Sequence, residues 1–140
     1  MDGKTKRILL LEDEESVNRG ISFTLEKEGY EVCSCRSLTE AMASFDDFQP
    51  KLLICDVTLP DGSGLDMVKY ARARSGAFII CLTALDSETD QVMGYESGAD
   101  DYITKPFSLS VLTLKVRAFF VRQNSGASEM IETGGLKIDG

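Results

Sequence analysis

The 140-residue chain contains no histidine. That absence excludes histidine-ligated zinc, Ser-His-Asp triads and any imidazole proton shuttle. The four cysteines, Cys33, Cys35, Cys55 and Cys81, include no C-x-x-C pair, so neither a zinc knuckle nor a thioredoxin-type motif is available. No apolar run approaches the ~20 residues that span a bilayer, and Met1 to Arg7 is polar rather than signal-like. The thiols are therefore expected to be reduced and buried, in a cytoplasmic protein with no membrane partner. Basic residues are also scarce. Fifteen Lys and Arg face 23 Asp and Glu, a net charge of −8, which argues against a grip on a nucleic-acid backbone.

What remains is enough for one folded domain. Hydrophobic residues make up 43% of the chain, sufficient to bury a core. Five short apolar runs recur: Ile8 to Leu11, Tyr30 to Cys33, Leu52 to Cys55, Phe78 to Leu82, and Tyr102-Ile103. The first, third and fourth are continuous rather than alternating, as expected of strands covered on both faces. Helical spacing appears between and after them, in Val17, Ile21 and Leu25, and in Leu112, Val116, Phe119 and Phe120. Ser37 with Glu40 forms a capping box ahead of Ala41, Met42 and Phe45. Gly64 precedes a third stripe, Leu65, Val68 and Ala71. Strand alternating with helix predicts crossover connections and an α/β doubly wound three-layer sandwich: a five-stranded parallel sheet with helices on both faces.

In such a sheet ligands bind beyond the carboxyl ends of the strands. Glu12 to Glu15 follow the first run, Asp56 and Thr58 the third, Thr83 and Ala84 the fourth, and Thr104, Lys105 and Pro106 the fifth. Taken singly, each has an ordinary structural role. Glu14 and Glu15 suit a helix N-terminus, Asp56 a turn, Thr83 a helix cap and Lys105 a surface loop. Together they gather three carboxylates, a hydroxyl and an ammonium at one sheet edge. Clustered carboxylates repel unless a cation sits among them, and an all-oxygen donor set points to a hard ion, Mg²⁺ above all. A carboxylate beside Mg²⁺, with Lys and a hydroxyl in reach, is a phosphoryl-acceptor arrangement.

The segments "ILLLEDEESV", "LICDVTLPDGSGLD", "CLTALD" and "GADDYITKPF" resemble the receiver domain of two-component response regulators, in the OmpR/PhoB-like subfamily with winged-helix DNA-binding outputs. The resemblance covers residues 7 to 123 and implies a flavodoxin-like sheet of order 2-1-3-4-5. It implies that Asp56 is phosphorylated by a partner sensor histidine kinase, and that Glu12, Asp13, Asp56 and the Thr58 backbone carbonyl hold Mg²⁺. Lys105, before a cis proline bond, would contact the phosphoryl group. Thr83 would swing its hydroxyl onto the group, Tyr102 would turn inward behind it, and Ala84 would keep the site open. With no histidine, the chain cannot be its own phosphohistidine donor.

The resemblance also implies a phosphorylation-dependent homodimer through the helix after the fourth strand, the fifth strand and the last helix. Asp100 with Arg122, and Asp101 with Lys115, match its ion pairs. A third pair is replaced by Gln91 and Val111, either as neutral drift of an exposed pair or as altered partner choice. Leu85 flanks the site at a position that affects water access. Three other readings remain open at this point. A phosphohydrolase would carry an acid two residues after the nucleophile, where Thr58 stands. A degenerate receiver would lack an acid or the Lys. A flavin binder would have Ser, Thr and Gly in place of Glu12 and Asp13.

Residues 1–123 are thus expected to form the receiver and 124–130, with Asn124 to Ser128, a flexible linker. Residues 131–140, with Leu136-Lys137-Ile138, are expected to begin a truncated winged-helix domain through which DNA would be bound.

Overall fold

The computed structural model describes residues 6–84 and 98–129. Five parallel strands, β1 (Arg7–Leu11), β2 (Glu31–Cys35), β3 (Leu52–Asp56), β4 (Phe78–Ala84) and β5 (Asp101–Lys105), form one sheet in the order β2-β1-β3-β4-β5. Helices α1 (Glu15–Lys27), α2 (Leu38–Phe48) and α3 (Gly64–Arg74) connect the first four strands, and α4 (Leu109–Glu129) follows β5. A short antiparallel ribbon, Thr58–Leu59 with Gly62–Ser63, lies between β3 and α3. The order is the flavodoxin-like one, with its reversal between β1 and β3.

The continuous apolar runs explain the three layers. Successive strand residues point to opposite faces, so a strand covered on both sides needs apolar residues at every position. Leu9, Leu11, Leu53, Cys55, Ile79 and Cys81 pack with Phe45 of α2 and with Met67, Val68 and Ala71 of α3. The alternate residues Ile8, Leu10, Leu52, Ile54, Ile80 and Leu82 pack with Ile21 and Leu25 of α1 and with Leu112, Val116 and Phe120 of α4. The thiols serve this packing. All four cysteines are free, and burial pushes the Cys35 and Cys81 thiols up to about 12, far from thiolate formation.

Helix ends follow local chemistry. Ser37 accepts the Glu40 N–H at 3.1 Å, while the Glu40 carboxylate reaches back to the Arg36 N–H at 2.9 Å. α2 stops at Gln49, which is left-handed (φ 53°) and precedes Pro50, a residue that cannot continue a helix. α4 runs to Glu129, so residues 124–129, expected as a flexible connector, are helical instead. No proline interrupts this stretch, and a helix already nucleated over residues 109–123 propagates cheaply. Leu85, Gln91 and residues 131–140, with the strand expected there, lie outside the described residues.

One glycine is demanded by close approach. A Cβ on Gly64 would lie 1.9 Å from the Asp56 carbonyl oxygen, and the Gly64 N–H donates to the Val57 carbonyl at 2.7 Å. On Gly20, inside α1, an added Cβ meets nothing within 4 Å. Gly64→Ala should therefore destabilise the domain by about 3 kcal/mol or more, whereas Gly20→Ala should stabilise it by about 0.5–1 kcal/mol. Urea denaturation midpoints check both signs.

Candidate functional site

The carboxyl ends of β1, β3, β4 and β5 deliver Glu12, Asp56, Thr83 and Lys105 to one edge, with Asp13 in the loop before α1. Glu12, Asp13 and Asp56 each bring a carboxylate oxygen within 4.8 Å of the others. Glu12 and Asp56 are buried, at 0% and 4% exposure, and Asp13 is half-buried. Lys105 Nζ stands 2.9 Å from Asp56 Oδ2 and 3.3 Å from Glu12 Oε1. The Lys105-Pro106 bond is cis, as the resemblance implies.

The backbone holds the acids from the other side. Glu12 Oε2 accepts the Glu14 N–H at 2.9 Å, and Asp56 Oδ1 accepts the Thr58 N–H at 3.2 Å. Two buried oxygens are left over. Glu12 Oε1 touches Lys105 without hydrogen-bonding geometry, and Thr83 Oγ1 has no partner among the described residues. Buried polar atoms are normally satisfied, so these two oxygens are open to a further partner.

Electrostatics point the same way. Burial first, then the neighbouring Asp56 carboxylate, lifts Glu12 above its ordinary range against the Glu14 N–H and Lys105. Asp56 is also raised, by burial above all and by the charge of Asp13, against the Lys105 hydrogen bond. Burial lowers Lys105, but Asp56 and Glu12 outweigh it and leave the ammonium raised. Three carboxylates against one ammonium leave a formal excess of two negative charges. The donors are all oxygens, so the site suits a hard divalent cation such as Mg²⁺.

Other expected residues divide. Tyr102 is half-buried on β5 and packs against the core on the α2–α3 face. Thr58 is exposed, and its N–H donates to Asp56 Oδ1. Lys115 pairs with Asp101 at 2.9 Å within the chain. Asp100 does not pair with Arg122 in the chain. Its Oδ2 accepts the Arg72 guanidinium at 2.7 Å and the Ile79 N–H at 2.8 Å, fastening the entry of β5 to β4 and α3. Arg72 further donates to the Gly98 and Ala77 carbonyls. Arg122 is exposed and makes no ion pair among the described residues, and Val111, about three turns earlier on α4, is 42% exposed.

Sequence reasoning missed Arg72 and also Asp61, whose carboxylate accepts the Leu38 and Thr39 N–H groups at 3.0 and 3.2 Å. Asp61 stands in a turn but ties the loop after β3 to the start of α2, 23 residues away. Neither has a local signal, because both partners come from other elements.

Against this geometry, comparison with known proteins is specific. Residues 8–117 match the response regulator receiver domain family. The sensory transduction protein RegX3 of Mycobacterium tuberculosis is 41% identical over 136 residues, covering 94% of this chain and 60% of RegX3. The DNA-binding response regulator MtrA of the same species is 36% identical over 139 residues, covering 99% of this chain and 61% of MtrA. Among solved structures, a CheY-like response regulator receiver domain protein from Methanospirillum hungatei superposes with a TM-score of 0.80. It is 30% identical and aligns over 86% of this chain and 98% of its own.

The chain belongs to the response regulator receiver domain family, a class of signalling proteins rather than classical enzymes. It spans about 60% of the length of the curated relatives it matches.

The charge imbalance has a measurable consequence. A carboxyl raised in the folded state contributes stability that is full below its unfolded value, 4.5 for Glu12 and 3.8 for Asp56, and is lost as pH rises through the folded value. The metal-free domain should therefore be more stable in mild acid than this pair of groups allows at neutral pH. Asp56→Asn, which removes one buried charge, should raise the metal-free stability at neutral pH by on the order of 1 kcal/mol and shrink the stabilisation gained from Mg²⁺. Thermal melts in chelator and in excess Mg²⁺ check the two effects together.

Proposed function

We propose that this chain is the phosphoacceptor half of a response regulator, with Asp56 receiving a phosphoryl group from a partner sensor histidine kinase or a small phosphodonor. The observation that carries the reading is the buried Asp56 carboxylate at the end of β3, 2.9 Å from the Lys105 ammonium, beside two orphaned buried oxygens. A carboxylate is a weak nucleophile, and placing it at the mouth of a rigid sheet supplies orientation in place of intrinsic reactivity.

An Asp56 oxygen forms the new bond to phosphorus as the donor's P–N bond breaks, and the leaving imidazole keeps the electron pair and takes a proton from solvent. The Thr58 N–H bond to Oδ1 fixes the rotation of the carboxylate, so that it faces the incoming group. Lys105, held between Asp56 and Glu12, exchanges part of that contact for the phosphoryl oxygens, where its charge offsets theirs. The orphan hydroxyl of Thr83 then donates to a phosphoryl oxygen. Glu12, Asp13, Asp56 and the Thr58 carbonyl are the groups that would hold Mg²⁺. When bound, the cation offsets the carboxylate repulsion and the charge of the transferred group.

The signal leaves through packing. Phosphorylation adds roughly two negative charges and three strong acceptors. As Thr83 is drawn to the phosphoryl group, the Tyr102 ring, half-buried on the adjacent strand, follows into the vacated space. That movement reshapes the face made of β5, the segment before it and α4, and favours a two-fold dimer through Asp100, Asp101, Lys115, Arg122 and Val111. Residues 1–123 are the receiver unit. Residues 124–130 lead into an output domain, of which 131–140 are the opening, and that domain binds DNA and controls transcription in the cytoplasm. MtrA, named a DNA-binding response regulator, supports this reading.

Intact-mass analysis after acetyl phosphate and Mg²⁺ should show one phosphoryl adduct on the wild type and none on Asp56→Ala. An adduct retained by the mutant, or absent from both, would defeat the proposal. For dimerisation, sedimentation with beryllofluoride and Mg²⁺ should double the mass of the species, and Arg122→Glu should restore the monomer. An unchanged mass for the wild type would remove the dimer from the account.

A further inference from the structure

Asn18 lies in α1, four residues beyond the N-cap Glu14, and is 3% exposed. A buried primary amide must find partners for two N–H donors and two acceptor positions. Asn18 finds all four. Its Nδ2 donates to the Glu12 carbonyl at 2.9 Å and to the Cys35 carbonyl at 3.1 Å. Its Oδ1 accepts from the Ser34 hydroxyl at 2.9 Å and the Ser22 hydroxyl at 3.4 Å. The two carbonyls only accept, so the amide has one permitted orientation.

These bonds converge on Glu12. The Glu12 N–H donates to the same Cys35 carbonyl at 3.1 Å, so both polar groups of its main chain are tied down. The carboxylate is then aimed by elimination. Oε2 is taken by the Glu14 N–H, and Oε1 is left orphaned toward Lys105. β2, which supplies Ser34 and Cys35, is an edge strand, so the amide bolts the acidic loop to the rim of the sheet.

We infer that Asn18 is a positioning residue for the acidic site, holding the loop between β1 and α1 so that Glu12 keeps its carboxylate at the cation position. The inference rests on reading that site as one that binds Mg²⁺. Outer partners that orient metal-holding groups are worth about 10- to 100-fold in metal affinity. Asn18→Leu takes the amide donor from the Glu12 carbonyl and leaves the Cys35 carbonyl with the Glu12 N–H alone, and the loop relaxes to rescue the lost bond. Ser34→Ala removes only the nearer hydroxyl that orients the amide, from an exposed position where folding is not at risk.

Calorimetric titration of Mg²⁺ into the full chain tests this, with Ile21→Val as a control. Ile21 is buried on the same helix and takes no part in the network, so its truncation costs stability alone. Asn18→Leu should weaken Mg²⁺ by about 10- to 100-fold, Ser34→Ala several-fold in the same direction, and Ile21→Val not at all. Should Asn18→Leu fail to fold, the Ser34→Ala titration decides. Mg²⁺ affinity unchanged in the network variants, or lowered equally in Ile21→Val, would overturn the inference while leaving the site reading intact. A wild-type chain that takes up no Mg²⁺ would overturn both.

Discussion

The crowding of three carboxylates at the end of a buried parallel sheet is the constraint on which the rest of the molecule depends. Two of them, Glu12 and Asp56, are almost wholly removed from water. Left to themselves they would bind protons or push the strand ends apart. One ammonium, Lys105, and two backbone N–H groups from Glu14 and Thr58 hold them in place. The balance is incomplete, with Glu12 Oε1 and Thr83 Oγ1 unsatisfied. An incompletely balanced cluster has free energy to gain from a cation, which a fully neutralised one would not.

Such a strained edge needs a stiff support, and the sheet supplies it. Each central strand is buried on both faces, so side chains from four helices lock the strand ends that carry the acids. The loops are then tied individually. Asn18 fastens the loop after β1, Asp61 the loop after β3, and Arg72 with Asp100 the entry to β5. Lys105 comes to Asp56 because β5 is registered on β4, pairing Ala84 with Lys105 and Thr83 with Thr104.

Asp100 has an internal role that the motif does not show. Its place in the family motif suggests a bridge to Arg122 of a second copy, yet its Oδ2 is engaged by Arg72 and the Ile79 N–H inside the chain. Any contact it makes across a dimer is therefore shared with an internal role. The two roles are compatible, because a carboxylate offers more acceptor positions than these two bonds use.

The layered α/β architecture and the acidic residues at the strand ends were legible in the sequence pattern, and the strand order was what the family resemblance implied. Short continuous apolar runs alternating with helical stripes are what strands covered on both faces require, and in a parallel sheet the residues that follow such strands gather at one edge. The identity of Asp56, Lys105 and Thr83 as a set came from motif order along the chain. Burial, orphaned oxygens and the long-range ties did not, because they depend on partners from distant elements. Asn18 reads as an ordinary polar helix residue until β2 is laid beside β1, and Asp61 as a turn former until α2 is brought to it. The helical course of residues 124–129 was likewise hidden, since Ser, Asn and Gly favour loops locally and only propagation from the packed part of α4 overrides them. Local chemistry along the chain determined which carboxylate, hydroxyl and ammonium groups stand at the strand ends, and tertiary contacts decided which were buried, which were held, and which oxygens were left open.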